Sequence, residues 1–197
     1  MTPQESERAV LRRNQVLDAA AICFRHHGFH GASMAQISKT AGMSPGHIYH
    51  YFDSKEAIIS AIVERDLEEC LEWTKVFSSS DNILQAMLDG VEQGVEESTS
   101  RDNAALMVEI MAESARNPQI AETVQRAHAV ARSRFIEVLT NDQQQRQGVS
   151  SYDVASKAEL IGAMFDGLLL TSIRNPVLDK AAVTQLMRQI IQFVLTL

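Results

Sequence analysis

Between Ser33 and Lys55 the chain gathers small hydrogen-bonding side chains at close spacing: Ser33, Gln36, Ser44, His47, Tyr49, His50, Tyr51 and Lys55. Hydroxyls, imidazoles and an ammonium can donate to phosphate oxygens and to the edges of bases. The sequence offers little for covalent or redox chemistry. It has no P-loop, no GxGxxG after a strand, no GxSxG and no HExxH. His26 and His30 share the i, i+4 spacing of a metal pair, but Gly28 interrupts the helix between them, and surface imidazoles explain them better. Cys23 and Cys70 lie far apart with no CxxC, which argues against a zinc finger or a disulfide scaffold. No enzyme, metal or cofactor is expected.

The elements that must position these groups all read as helices. Apolar residues recur at helical spacing, and no stretch alternates with period two for long enough to make a sheet. A first helix runs from Ser6 to His27 and stops at Gly28. A second, Ser33–Ala41, opens on an S-x-x-Q capping box, Ser33 with Gln36. Gly42 ends it, and Ser44-Pro45 starts a third, a capping hydroxyl followed by proline at the first helical position. Asp53-Ser54 opens a fourth reaching Phe77. Further helices are expected at 81–97, 102–116, 118–141, 153–174 and 179–197, which makes nine in all. The stretch 142–151, DQQQRQGVSS, is the most loop-like.

Residues 33–52 therefore form two short helices joined by a tight turn, a helix-turn-helix. At 100° per residue Ile48 and Phe52 share one face, with Ile37 and Ala41 placed to receive them. Gly46 and His50 fall opposite, flanked by His47 and Tyr49. Gly46 allows close approach, and the free N–H groups after Ser44 suit a phosphate. Ser33, Ser44 and Tyr49 can donate hydroxyls, and Lys55 can act on a flanking phosphate as a point charge. His47 is the expected reader of base edges, with Ala35 and Gln36 secondary.

The net charge of −7 is unevenly spread. The first 55 residues set Arg8, Arg12, Arg13, Arg25, Lys39 and Lys55 against Glu5, Glu7, Asp18 and Asp53, and hold all the histidines except His128. The remainder is strongly acidic. A mildly basic head on an acidic body separates two tasks, with only the head suited to a polyanion. At 45% hydrophobic and 22% charged residues, the composition is that of a globular protein and excludes disorder. With no long uncharged apolar run and no signal-peptide pattern, a cytoplasmic protein with no membrane span is expected.

The stretch SMAQISKTAGMSPGHIYHYFDSKEAII resembles the N-terminal domain of the tetracycline-repressor (TetR) family of bacterial regulators. Ser33, Ile37, Ala41, Gly42, Met43, Ser44, Gly46, Ile48, Tyr49, Phe52 and Lys55 stand at the places of the family pattern, and Phe24, Gly28 and Phe29 fit its upstream part. Ser38 departs from the usual alanine and Tyr51 from the usual histidine, where the tyrosine hydroxyl could substitute as a phosphate contact. The resemblance implies an all-α fold of nine helices, an Ω-shaped homodimer. Helices 1–3 would bind double-stranded DNA, helices 4–7 would enclose a small-molecule effector, and helices 8–9 would form a four-helix dimer bundle. It also implies a division into a DNA-binding domain, 1–53, and an effector-binding and dimerisation domain, 54–197.

Candidate pocket residues are Trp73, Met107, Met111, Phe135, Met164 and Phe165, large or pliable apolar groups suited to an irregular cavity or simply to a core. Glu113 could be the counter-charge of a cationic effector, or could pair with Arg116 at i+3. The effector is accordingly expected to be apolar or cationic. Helix 8 is apolar on more than one face and helix 9 carries an apolar stripe. Ile161, Phe165, Leu168, Leu169, Val183, Leu186, Met187, Ile190 and Val194 are the candidate dimer contacts. The mechanism expected is repression of a pseudo-palindromic operator, relieved by the effector. The alternative is a helical protein-interaction module without specific DNA binding.

Overall fold

The computed structural model describes residues 3–146 and 152–197. Among these the chain is all-helical: α1 Pro3–Gly31, α2 Met34–Ala41, α3 Pro45–Tyr49, α4 Lys55–Ser78, α5 Ile83–Ser98, α6 Arg101–Ser114, α7 Pro118–Gln145, α8 Val154–Arg174 and α9 Lys180–Thr196. The expected loop at 142–151 is in part a continuation of α7, which runs to Gln145; residues 147–151 lie outside the described residues.

Local chemistry sets the boundaries. The Ser33 hydroxyl accepts from the Gln36 N–H at 3.2 Å, and the Gln36 carboxamide oxygen accepts from the Ser33 N–H at 2.8 Å, so the capping box is reciprocal. Gly42 closes α2 in the left-handed conformation (φ 63°), which a side chain would strain. Ser44 caps α3, whose first residue is Pro45, and Asn82, Asp153 and Asp179 cap α5, α8 and α9 through their side-chain oxygens. The end of α1 differs from expectation. Gly28 takes φ 69° and ψ 165°, yet the chain regains one helical turn beyond it, with the Ala32 N–H bonded to the Gly28 carbonyl. The glycine is a break within α1 rather than its end.

The residues divide into two compact units. The first comprises Met1–Asp66 and Ala105–Ala127. Its core is built on Val16, Leu17, Phe24, Ile37, Ile48, Ile58, Ile59, Ile62, Ile110 and Ile120, all but inaccessible to water. Each such side chain contributes about 1.5–3 kcal/mol of burial, far more than the propensity of a five-residue helix could supply. α3 is helical because Ile48 is held in this core. Polar links add registry. Gln15 Nε2 donates to the Ala41 carbonyl at 2.7 Å, and Arg65 pairs with Asp18 at 2.6 Å.

The second unit comprises Leu67–Ala104 and His128–Leu197. α5 packs on α8 and α9, and Ile83, Val91, Val95, Val138, Leu139, Ile161 and Ile191 form its centre. A charged pair at the end of α7 ties it to α9. Asp142, 2% exposed, accepts from Arg146 Nε at 3.0 Å. Arg146 Nη2 also donates to the Leu195 carbonyl at 2.8 Å. Lys157, also buried, has its ammonium pKa lowered by desolvation and by Arg146, with Asp142 opposing.

Candidate nucleic-acid interface and effector cavity

The helix-turn-helix presents its polar groups outward. Ser33, Ala35, Gln36, Ser44, Pro45, Gly46, His47, Tyr49 and His50 are all exposed, while Ile37, Ala41, Ile48 and Phe52 are buried beneath them. A Cβ on Gly46 would meet nothing within 4 Å, so the start of α3 is open to a close-lying backbone. Tyr51 is half-buried, packed on the core, with its ring 5.5 Å from that of His47 and 5.3 Å from that of His50. It backs the two imidazoles that face outward. Arg13 lies over the Phe52 ring at 5.2 Å.

Three of the expected contact groups have other work. Lys55 Nζ donates to the Phe29 carbonyl at 2.6 Å and to the Ala32 carbonyl at 2.7 Å, and lies 4.7 Å from the Phe29 ring centroid. Two of its three N–H donors are thereby occupied, which leaves one for a flanking phosphate. Its charge is held by two carbonyls of the α1–α2 connection. The Ser33 hydroxyl also donates to the Gln36 carboxamide oxygen, at 3.0 Å, so giving its proton to a phosphate would cost that bond, though not the two bonds of the capping box. Gln36 for the same reason can offer a base edge only its Nε2 donors.

Ser38, the departure from the family's alanine, is 2% exposed. Its Oγ donates to the Met43 carbonyl at 2.5 Å. The hydroxyl satisfies a carbonyl inside the turn that joins the two helices, a role legible in the sequence only as a serine on the inner face of α2.

The second unit holds a cavity of about 290 Å³ among α4, α5, α7, α8 and α9. Of the candidate residues Trp73, Phe135 and Phe165 line it, joined by Phe77, Cys70, Glu97 and Ser98, which sequence reasoning did not single out. Trp73 and Phe77 stack with centroids 5.9 Å apart. Gly90 and Gly94, one turn apart on α5, make room for these rings. A Cβ at Gly90 would stand 3.2 Å from Phe77, and one at Gly94 2.8 Å from Phe165. Two glycines inside one helix cost about 1 kcal/mol each against alanine, and that spacing was the available signal. Desolvation in the cavity wall raises the Cys70 thiol pKa, although the residue as a whole is exposed.

The other pocket candidates fall elsewhere. Met107, Met111 and Glu113 belong to the first unit, and Met164 packs against the second unit's core rather than lining the cavity. Glu113 is 3% exposed, with one carboxylate oxygen 3.0 Å from His30 Nε2 and 3.7 Å from Arg116. The i+3 partner was expected; the histidine was not. One turn earlier, Glu109 Oε2 accepts from the backbone N–H of Phe29 at 3.2 Å.

Residues 16–62 match the family described as bacterial regulatory proteins, tetR family, and residues 82–196 match the C-terminal domain of BetI-type transcriptional repressors. Over 185 residues, 93% of each chain, the protein is 32% identical to the transcriptional regulator UidR of Escherichia coli. The solved structure of GusR from Salmonella enterica superposes with a TM-score of 0.78 at 30% identity, covering 94% of this chain and 96% of that one. FadR of Bacillus subtilis, solved with stearoyl-CoA, shares the fold with a TM-score of 0.77 at 16% identity, over 90% of this chain and 96% of its own.

The chain belongs to the TetR family.

It is thus a DNA-binding transcriptional regulator of a non-enzyme family, and its helix-turn-helix is the DNA-binding element of that family. Among the described residues of this TetR-family protein, no helix is long and apolar enough to cross a membrane.

The candidate dimer residues lie in different surroundings. Ile161, Leu168, Met187 and Val194 are buried inside the protomer, so they are corrected from contact surface to core. Phe165 turns to the cavity, and Leu169 and Val183 are half-buried. The exposed apolar groups of α9 are Leu186, Ile190, Phe193 and, just past its end, Leu197; those of α8 are Leu160, Leu170 and Ile173. Apolar periodicity located both helices but could not tell which face meets the protomer's own core when opposite faces are both apolar.

Proposed function

We propose that this regulator is a homodimeric repressor, acting in the cytoplasm, that a small apolar or cationic molecule releases from a pseudo-palindromic operator. One feature carries the reading: the continuity of α4. Its first residue, Lys55, grips the α1–α2 connection of the DNA-binding head. The same helix supplies Cys70, Trp73, Thr74 and Phe77 to the cavity wall. A ligand that reorients the second half of α4 acts on the first half through an unbroken hydrogen-bonded rod. To weaken operator binding tenfold it must bind the released state about 1.4 kcal/mol more tightly.

The cavity's character supports the effector class. Its wall is aromatic and aliphatic, and among the described residues Glu97 is the one charged group that lines it, with no Lys, Arg or His. A cation or a neutral ring has partners there, whereas an anion would lose its hydration without a counter-charge.

The exposed stripe on α8 and α9 supports the second half of the reading. Leu160, Leu170, Ile173, Leu186, Ile190 and Phe193 leave apolar area on adjoining helices that a second copy would cover. A pair of heads spaced about 34 Å apart then reads two half-sites.

Fluorescence anisotropy on a duplex from upstream of the protein's own gene tests DNA binding. Affinity should fall steeply as salt rises, and a helical interaction module would show no such dependence. Trp73 is the only tryptophan in the chain and lies in the cavity wall, so its emission reports ligands directly. A compound that shifts Trp73 emission and lowers operator affinity is an effector. One that binds equally with and without operator is not.

A further inference from the structure

The α1–α2 connection is held from two sides, and only the α4 side belongs to the reading above. On the other side stands α6. Glu109 Oε2 accepts from the Phe29 N–H at 3.2 Å, immediately after the break where Gly28 takes φ 69°. That break removes Phe29 from regular helical bonding, and the carboxylate supplies the missing acceptor. The same carboxylate oxygen lies 3.4 Å from a Cβ placed at 28, ordinary contact distance. One turn further along α6, Glu113 faces His30 at 3.0 Å. Its Oε2 is fully buried without a hydrogen-bond partner, with Arg116 3.7 Å away, and its Oε1 accepts only a long bond from Asn117 Nδ2 at 3.4 Å.

A buried carboxylate so poorly solvated is costly, and burial in the core does not require one at this place. Leu106 and Ile110 already anchor α6 there.

We propose that Glu109 and Glu113 are positioning residues for DNA binding: a carboxylate latch by which α6 fixes residues 28–32, and through them the placement of α2 and α3. The inference deepens the repressor reading and rests on it. α6 begins at Arg101, three residues after Ser98, and Glu97 and Ser98 line the cavity. Asn103 Nδ2 in its first turn donates to the Glu97 carbonyl at 3.3 Å. An occupant that displaces the end of α5 therefore pulls on the start of α6, and the latch at Glu109 and Glu113 is where that pull reaches the head. The helix-turn-helix is then controlled by two helices, α4 through an ammonium on carbonyls and α6 through carboxylates on an amide and an imidazole.

Glu109→Ala and Glu109→Gln in the full-length protein separate the latch from simple structural support. A glutamine oxygen can still accept from the Phe29 N–H; alanine cannot. Glu109→Ala should weaken binding to the upstream duplex at least tenfold, with an unchanged slope of log affinity against log salt, because no phosphate contact is lost. Glu109→Gln should recover most of that affinity. Hydrogen exchange should quicken at residues 28–32 in the alanine variant and stay slow in α9. Three results overturn the proposal: affinity in Glu109→Ala within twofold of the wild type or above it, equal losses in the two variants, or exchange quickened equally in α9. If the wild type itself fails to bind duplex DNA, the repressor reading fails first, and the exchange measurement still judges the latch.

Discussion

Gly94 on α5 lies directly against the ring of Phe165 on α8: a Cβ at 94 would stand 2.8 Å from Cε1 and 3.2 Å from Cζ. No real side chain tolerates that approach, so the ring fills the space that glycine leaves and shapes one wall of the cavity.

Replacing Gly94 by alanine sets two effects against each other. The helix gains about 1 kcal/mol of propensity, and overpacking costs about 1–3 kcal/mol. The ring can yield into the cavity it lines, which keeps the cost near the lower end. Gly94→Ala should therefore shift Tm by only a few degrees while reducing affinity for effectors at least tenfold, read by Trp73 fluorescence titration. Unchanged affinity would mean that Phe165 does not bound the ligand site.

Lys55 separates a clamp from a phosphate contact. If its charge is held by the Phe29 and Ala32 carbonyls, Lys55→Met lowers thermal stability, since charge-assisted hydrogen bonds contribute about 1.5–3 kcal/mol each. The slope of log affinity against log salt should stay as in the wild type. A direct phosphate contact would instead lower that slope by about one unit.

Ser38→Ala introduces the residue usual in the family. It leaves the Met43 carbonyl without the hydroxyl that now donates to it at 2.5 Å, and should cost about 1 kcal/mol, a fall of a few degrees in Tm by circular dichroism. A rise in Tm would show that the turn is satisfied without the serine.

Lys157 offers a prediction with a pH signature. Desolvation and Arg146 lower its pKa from the ordinary 10.5, so its charged form destabilises the folded state at neutral pH. Lys157→Met should raise Tm by a few degrees at pH 7, because Asp142 keeps Arg146 as its partner. The penalty in the wild type is full below the lowered pKa and fades as pH rises through it towards 10.5. The advantage of the variant should shrink over that same interval, and an advantage that grows with alkalinity would contradict the assignment.

α9 should separate folding from association. Leu186→Glu combined with Phe193→Glu alters groups that are 57% and 63% exposed, and should give a folded monomer in sedimentation equilibrium. Met187→Ala empties a buried position and should instead cost about 2–5 kcal/mol of stability. A double variant that stays dimeric would move the interface elsewhere.

What the sequence made legible follows from what is local. The capping box of Ser33 and Gln36, the left-handed Gly42 and the Ser44-Pro45 start are decided within a few residues, and all three are present in the structure. The outward face from Ala35 to His50 follows from the single buried face of Ile37, Ala41, Ile48 and Phe52. What was not legible depends on distant partners. Glu109 meets Phe29 across 80 positions, and Lys55 turns back to carbonyls at 29 and 32. Met107 and Met164 look alike in periodicity, yet belong to different compact units. A glycine after a helical run predicts a terminator, yet the chain regains a turn past Gly28, with the Glu109 carboxylate of α6 accepting from the Phe29 N–H.

The two-sided character of α9 has a genetic consequence. Substitutions on its inner face remove the protein from the cell, and a second, intact gene copy masks them. In the proposed dimer, substitutions on the outer face would leave folded subunits that cannot recruit a companion, so they too would be recessive. Lesions at His47 or His50 spare both faces, and such subunits would draw normal ones into inactive pairs. A screen for dominant loss of repression should therefore return the recognition helix and leave α9 untouched.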